Sequence, residues 1–532
     1  MNDLTLASEF PPATREGWEA AVARVLKGAD FEKRLVSRTA DGLRIEPIYA
    51  KAEARHTGRP RPAAPWRVAA RVDHPDPAEA NALALLDVEG GADSLTVVTS
   101  GAATARGFGL RLSEVTALDA ALAGIMLDMV ALRLEAGPDA AQAASLVADL
   151  ASRRGHDLAD LDLDLGVDPI GTAARLGRWR LPWDEAASLL TRQLAELTGR
   201  GFRGKLVAVD SRPYHEAGAT EAQELAAALS TGVAYLRAFE AGGQELAQAR
   251  AGLSFTLVAD ADQFLTVAKV RALRRLWAQV ETACGLQPEP IRLHVETAWR
   301  MTTRRDPWVN LLRGTMACFS AGIGGADIVT VLPFTAALGL PDGFARRLAR
   351  NTQLVLLEES NLWRVADPVA GSGAFESLTD ELAREAWARF GEIEREGGIV
   401  ASLSAGQVQG RIAEARRRRD RAVATRREPI TGTSEFPELR EAPVAVLMPP
   451  PDAPVPHEDG AMTALPSRRL AEGYERLRDR SDALQGREGR RPRIVLAQLG
   501  PVAAHTARST FARNAFEAVG IEALPVLAAP GG

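Results

Sequence analysis

The residues best placed for acid–base chemistry lie in the run SRPYHEAGA, residues 211–219, which holds Arg212, Tyr214, His215 and Glu216 within five positions. A histidine beside a glutamate in a loop can act as a general acid or base. The same pair, hydrogen-bonded, can instead hold the loop in place, and both readings stand at this point. Further carboxylates follow strand-like runs: Asp210, Asp260, Glu296 (with Thr297 after it) and Asp367. At such positions a carboxylate is either a working group or the N-cap of the next helix. Of two glycine-rich stretches, GIGGADI (322–328) precedes a strand, so it lets a helix turn tightly into that strand rather than binding a dinucleotide. DPVAGSGAFE (367–376) follows a strand-like run and could approach a phosphate. Two cysteines, Cys284 and Cys318, and seven scattered histidines give neither a disulfide framework nor a local metal site.

These groups need a scaffold, and the chain is long enough for several domains. It has 532 residues, with 64 Lys+Arg against 69 Asp+Glu and a net charge of -5. That balance argues against nucleic acid as the main partner. The N-terminus has no basic stretch followed by an apolar one, and no run reaches the roughly 18 apolar residues of a membrane span, so no membrane association and a cytoplasmic location are expected.

Residues 1–65 read as an arm and linker. A helix places Trp18, Val22, Val25 and Leu26 near one face, with Gly28 to end it, and Asp41-Gly42 is a hairpin turn signal. From residue 66, eight short strand-like runs alternate with helical stretches: Trp66–Val72, Ser94–Thr99, Val130–Glu135, Lys205–Asp210, Phe255–Ala259, Ile291–Glu296, Asp327–Leu332 and Leu362–Ala366. The pattern predicts an α/β fold, a (β/α)8 TIM-type barrel over 66–395 with its largest insertion at 136–200. A doubly wound open sheet is the alternative. Residues 396–490 read as a helical and Pro-rich linker wrapping over a surface, and the basic run RIAEARRRRDRAVATRR within it as a solvated helix face. Residues 491–532 begin a fresh strand–helix–strand unit, an incomplete flavodoxin-like domain expected to be poorly ordered or packed on the barrel or a partner.

Long ordered stretches resemble the methylmalonyl-CoA mutase family. They include DPWVNLLRGTMACFSAGIGGADIVTVLPF, YHEAGATEAQELAAALSTGVAYLRA and the arm VLKGADFEKRL. The resemblance implies a barrel for acyl-CoA and a flavodoxin-like domain for adenosylcobalamin. The implied reaction is radical interconversion of (R)-methylmalonyl-CoA and succinyl-CoA, with the cofactor supplying the radical. The residues that carry the family's chemistry are replaced. In the cobalamin loop K-x-G-x-D-x-H-x-x-G, Gln498 stands at the Lys, Val502 at the Asp, Ala504 at the His and Ala507 at the Gly. An alanine has no lone pair for cobalt, and His505 is one position displaced. In the barrel, Arg212 and Pro213 stand at the family's Tyr-His pair, Tyr214-His215 is shifted by two, and Arg71 stands roughly at an active-site tyrosine. Arg71 and Arg212 would then close the substrate channel. Within the family the pattern resembles the small, non-catalytic subunit of the bacterial heterodimeric enzyme. It implies a large catalytic subunit as partner, which would hold cobalamin and acyl-CoA, and no catalytic, cofactor or metal residues in this chain. Two alternatives stand beside it. One is a mutase barrel that uses Tyr214-His215 and borrows a cobalamin domain. The other is a chaperone-like role toward the mutase.

Overall fold

The computed structural model describes residues 13–55, 63–451 and 462–527. Residues 56–62 of the linker read at 51–65, and residues 452–461 of the Pro-rich stretch, lie outside the described residues.

The arm opens with the helix Arg15–Leu26, capped by Thr14, whose hydroxyl accepts from Gly17 N at 3.1 Å. Lys27, at φ 49°, ends it, one residue before Gly28. The helix buries none of its residues, and Trp18 packs edge-on against Phe31. The hairpin forms at Asp41-Gly42 between β1 (Ser37–Arg38) and β2 (Arg44–Ile45). Its turn is anchored on the main body. The Asp41 carboxylate accepts from the Thr220 hydroxyl and from Ala222 N at the start of the Glu221–Ala241 helix. Burial, then repulsion from Glu221, pushes Asp41 up to about 6.

Eight parallel strands close a barrel: β3 (Arg67–Val72), β4 (Ser94–Val98), β5 (Ala131–Glu135), β6 (Leu163–Val167), β7 (Lys205–Asp210), β8 (Leu253–Ala259), β9 (Leu293–Thr297) and β10 (Ile328–Thr330). β10 pairs with both β9 and β3, which closes the ring. The strands are buried on both sides, as helices packed around a parallel sheet require.

Two assignments from the sequence are corrected. Residues 136–200 are not an insertion, because they contain β6. The run LDLDLGV alternates leucine with aspartate, a strand signature, but its aspartates disguise a core strand. Asp164 is tolerated inside because Arg133 on β5 pairs with it at 2.7 Å. The pairing of β6 with β7 shifts register between Asp164 and Val167, where Gly166 takes φ 61°. A Cβ at Gly166 would lie 1.9 Å from the Leu134 carbonyl oxygen, so only glycine fits this bulge. Leu362–Ala366 is not a strand either. Once β10 has joined β3, no strand edge is left for it, and Leu362–Arg364 forms a 3-10 turn. DPVAGSGAFE therefore follows no strand. It receives the arm: Ala52 N donates to Gly371 O at 3.0 Å, and a Cβ on Gly373 would meet Ala50 O at 1.8 Å.

The region 396–490 is helical in part. It includes the helices Gln407–Ala424 and Glu472–Glu488. The basic run is not wholly a solvated face. Arg416 and Arg419 turn inward and donate to Ala217 O and Gly218 O at 2.9 and 2.8 Å. The last described unit is β11 (Arg493–Gln498), the helix Val502–Glu517 and β12 (Glu522–Leu527), the two strands pairing in parallel. It packs on the 472–488 helix, where Ser481 donates to Gly520 O at 2.6 Å and Arg478 to Glu517 O at 3.3 Å.

Candidate functional site

Alternate strands of a barrel each contribute one side chain to a layer of its core, and those side chains are ordinarily branched and apolar. Here the layer at the C-terminal mouth is ionic. Arg71 from β3, Glu135 from β5, Arg212 just after β7 and Glu296 from β9 meet across the axis. Arg212 reaches Glu135 at 2.7 Å, Glu296 at 3.1 Å and Asp210 at 2.7 Å. Arg71 reaches Glu296 and Asp73, each at 3.1 Å, and donates to Thr104 O at 2.8 Å. The layer below is also polar: Arg133 binds Asp164 and the Thr256 hydroxyl, and His294 shares a hydrogen bond with Thr330.

All four side chains of the mouth layer are at least nine-tenths buried. Burial alone would raise Glu135, but Arg212, Arg71 and Arg133 outweigh it and hold its carboxyl well below the usual carboxylate range. Burial would lower Arg212, yet Asp210, Glu135 and Glu296 raise it further above its ordinary value. Burial, reinforced by Arg133, drives His294 well below its ordinary value, so it stays neutral. Every charge in the mouth layer is thus committed to another. Two cavities flank this plug. One, of about 50 Å³, lies between Arg71, Arg106 and Arg346; the other, of about 100 Å³, lies between Glu135, Asp168 and Arg212. Beside the second, burial and then Asp210 push Asp168 up to about 7, and Asp168 accepts from the Tyr235 hydroxyl.

Tyr214 and His215 are not part of this ionic layer, and His215 Nε2 lies 3.5 Å from Asp260, just after β8. Tyr214 and His215 are fully buried beneath the Glu221–Ala241 helix. The Tyr214 hydroxyl lies 3.5 Å from the Thr231 hydroxyl, and burial raises its phenol far above the ordinary value. His215 Nδ1 lies 2.9 Å from Glu224, which also binds Lys269 at 2.7 Å and Ser211 at 2.7 Å. The geometry is that of a histidine holding its loop. Glu216 is clamped as well, by Arg175 at 2.7 Å, Arg106 at 3.2 Å and the Ser467 hydroxyl. Burial would raise it, but Arg175 and Arg106 bring it down to about 2. Arg300 donates to the carbonyls of His215 and Ala219 at 3.3 and 2.9 Å. With Arg416 and Arg419, five arginines fix the 215–219 loop.

A strap seals the same end. Met462 N donates to Gly177 O, Leu465 N to Ala174 O, and Leu470 N to Arg300 O. Trp299 is sandwiched between Arg106, 3.6 Å from its ring centre, and Arg469, 5.6 Å away.

The cobalamin positions do not fit the cofactor. Only residues 499–501 separate β11 from the helix starting at Val502, so Val502, Ala504 and Ala507 stand on a helix surface, exposed, with no donor atom among them. Gln498 ends β11. His505 lies on the same helix with both ring nitrogens unpartnered, and Ala503 stands where an orienting carboxylate would be. Among the described residues no cluster of three or more His, Cys, Asp or Glu could hold a metal ion.

The structure therefore brings Arg71, Arg212 and Glu296 together and leaves Tyr214 and His215 apart from them. Sequence reasoning missed Glu135 and Arg133. Glu135 ends the recognised run Val130–Glu135 and Arg133 lies two residues before it, a spacing that already put them on one face. Arg106, Arg175 and Ser467 carried no signal, because only folding brings those segments over the mouth.

The family model for methylmalonyl-CoA mutase matches residues 61–469. A protein named methylmalonyl-CoA mutase small subunit from Streptomyces virginiae is 46% identical, covering 98% of this chain and 84% of its own length. The protein of that name from Propionibacterium freudenreichii subsp. shermanii is 35% identical over 98% of this chain and 82% of its own length. A methylmalonyl-CoA mutase from Rhizobium meliloti is 38% identical, but over 44% of this chain and 34% of its own length. With a family model spanning most of the sequence and relatives that match nearly the whole of it, this chain belongs to the methylmalonyl-CoA mutase family.

Proposed function

We propose that this chain is the non-catalytic small subunit of an adenosylcobalamin-dependent methylmalonyl-CoA mutase. In this reading it supports a large catalytic subunit that interconverts (R)-methylmalonyl-CoA and succinyl-CoA. The small-subunit name of its full-length relatives favours it. The observation that carries it is the ionic layer of Arg71, Glu135, Arg212 and Glu296, which occupies the barrel axis where a substrate would have to enter. A second support is the all-carbon set Val502, Ala504 and Ala507 at the family's cobalamin positions. The large subunit would hold both cofactor and acyl-CoA.

Four functional units follow from the same reading: an arm to residue 65, a barrel over 66–395, a strap and helices over 396–490, and a cobalamin-domain-like unit from 491. Among the described residues no helix is long and apolar enough to cross a membrane, and a cytoplasmic site of action is part of the proposal. Reconstitution tests it. This chain alone should show no conversion of methylmalonyl-CoA to succinyl-CoA, and mixing it with the large subunit should give a 1:1 active complex. Turnover by this chain with only a free cobalamin domain added would favour the borrowed-domain alternative.

A further inference from the structure

A barrel helix packs one face on the strands and shows the other to water, so its outer positions should be polar. The Val309–Gly324 helix breaks that rule. Of its four exposed positions, beginning one residue before it, three are apolar, Trp308 (48% exposed), Leu312 (70%) and Met316 (39%), a stripe at i, i+4, i+8, and the fourth is Thr315. The neighbouring Gly343–Leu354 helix keeps the rule at Arg347 and Asn351, but its first turn adds the exposed Phe344 to the same patch. Trp308 stacks on Phe334 with ring centres 4.6 Å apart, and Phe334 meets Phe344 edge-on at 6.4 Å.

The band continues to the root of the arm. Phe319, one turn on from Met316, packs in a cluster with Ile323 and Phe375. Phe375 stacks at 4.9 Å on Phe264, itself 50% exposed. Residues 371–376 are where the arm lands, through Ala52 N to Gly371 O and Arg55 N to Glu376. The arm helix 15–26 beyond that landing buries nothing of its own, and Val25 is 79% exposed. The exposed parts of Trp308, Leu312, Met316, Phe344 and Phe264 come to roughly 500 Å², at about 200 Å² for each whole side chain. That is the size of a functional patch on a monomer but short of the roughly 800 Å² that one side of a stable interface buries. The arm helix, which buries none of its own residues, would add to that area.

We infer that the outer face of the 309–324 helix, continued through Phe264 to the arm, is the surface on which the large subunit docks. This rests on the subunit reading above. The occupant is one chain that covers the stripe and holds the arm helix together, because neither apolar face alone reaches interface size.

The test uses the full chain and its large subunit, with affinity measured by biolayer interferometry. Leu312→Glu and Met316→Glu sit on solvent-facing positions, so folding is checked by circular dichroism and should be unchanged. Leu86→Glu, 58% exposed on the Pro77–Glu89 helix, is the control. Each stripe variant should weaken the complex at least tenfold and the double variant at least a hundredfold, with the control unchanged. Full affinity in the double variant while the parent chain binds would overturn the docking surface and leave the subunit reading intact. No binding by the parent chain would overturn the subunit reading itself. If the parent chain forms a dimer with itself in sedimentation and Leu312→Glu makes it monomeric, the occupant is a second copy, and the inference fails.

Discussion

Arg212→Met keeps most of the side-chain volume at the barrel mouth and removes only the charge, which makes it the sharpest probe of the ionic layer. In the parent protein the Arg212 guanidinium lies 2.7 Å from Glu135, 2.7 Å from Asp210 and 3.1 Å from Glu296. At an effective dielectric near 20, each such contact is worth roughly 6 kcal/mol gross. Desolvation offsets most of that, and removing one partner of a buried ion pair costs about 3–5 kcal/mol net, because the remaining charges stay buried. Arg71 and Arg133 sit 3.7 Å from Glu135 and take up part of its charge, which places the expectation at the lower end, about 3 kcal/mol. Urea unfolding followed by tryptophan fluorescence reads this as a fall in the midpoint of the barrel transition. Pairing the variant with Glu135→Gln gives a double-mutant cycle, with a coupling of about 2 kcal/mol expected for such close charges.

The acid limb gives a second reading of the same bond. Arg212 helps hold Glu135 below its unfolded value, so its contribution is present above the unfolded pKa and is lost as pH falls through the lower, folded one. The parent protein should therefore lose more stability on acidification than Arg212→Met does. A cost under about 1 kcal/mol with no coupling would refute the view that these residues form a tightly bound core layer.

Other expectations follow from particular contacts. Asp41, raised to about 6, contributes stability that is fully present below its unfolded value near 3.8 and is lost as pH rises through 6. The arm hairpin should therefore be held less tightly at pH 8 than at pH 5 by about 1.4 kcal/mol, and Asp41→Asn should abolish that difference in hydrogen exchange of residues 37–46. Gly373→Ala should expel the arm from its landing loop, because the new Cβ would overlap Ala50 O at 1.8 Å; proteolysis near residues 50–55 should rise sharply, and an unchanged pattern would disprove the contact. Tyr214→Phe should leave turnover of the reconstituted complex within about twofold, whereas general acid–base residues contribute about a hundredfold or more; a loss of that size would put Tyr214 back in the chemistry.

Much of this architecture is legible in the residues. Seven of the eight strands stand out as apolar or β-branched runs, and Asp41-Gly42 marks its hairpin directly. The eighth, Leu163–Val167, hides because a charged barrel interior puts aspartates where a core strand usually carries valine. The same physics limits the reading of the site. Arg71, Arg212 and Glu296 are strand-end residues and can be found by position, but their mutual neutralisation depends on Glu135 and on the closure of the ring. Tyr214-His215 looks like catalytic machinery in one dimension. Only the burial of both side chains under the 221–241 helix shows a histidine committed to Glu224. The basic run at 416–419 divides between solvent and the carbonyls of Ala217 and Gly218, a split that follows from where the helix lies and not from its composition.

The most direct test of the central claim is to titrate the purified chain with adenosylcobalamin, desalt it and record the visible spectrum. The absence of a cobalt donor at Val502, Ala504 and Ala507 predicts that no corrinoid is retained. Stoichiometric retention, with a spectrum showing the cofactor's own base displaced by a protein ligand such as His505, would contradict the non-catalytic account.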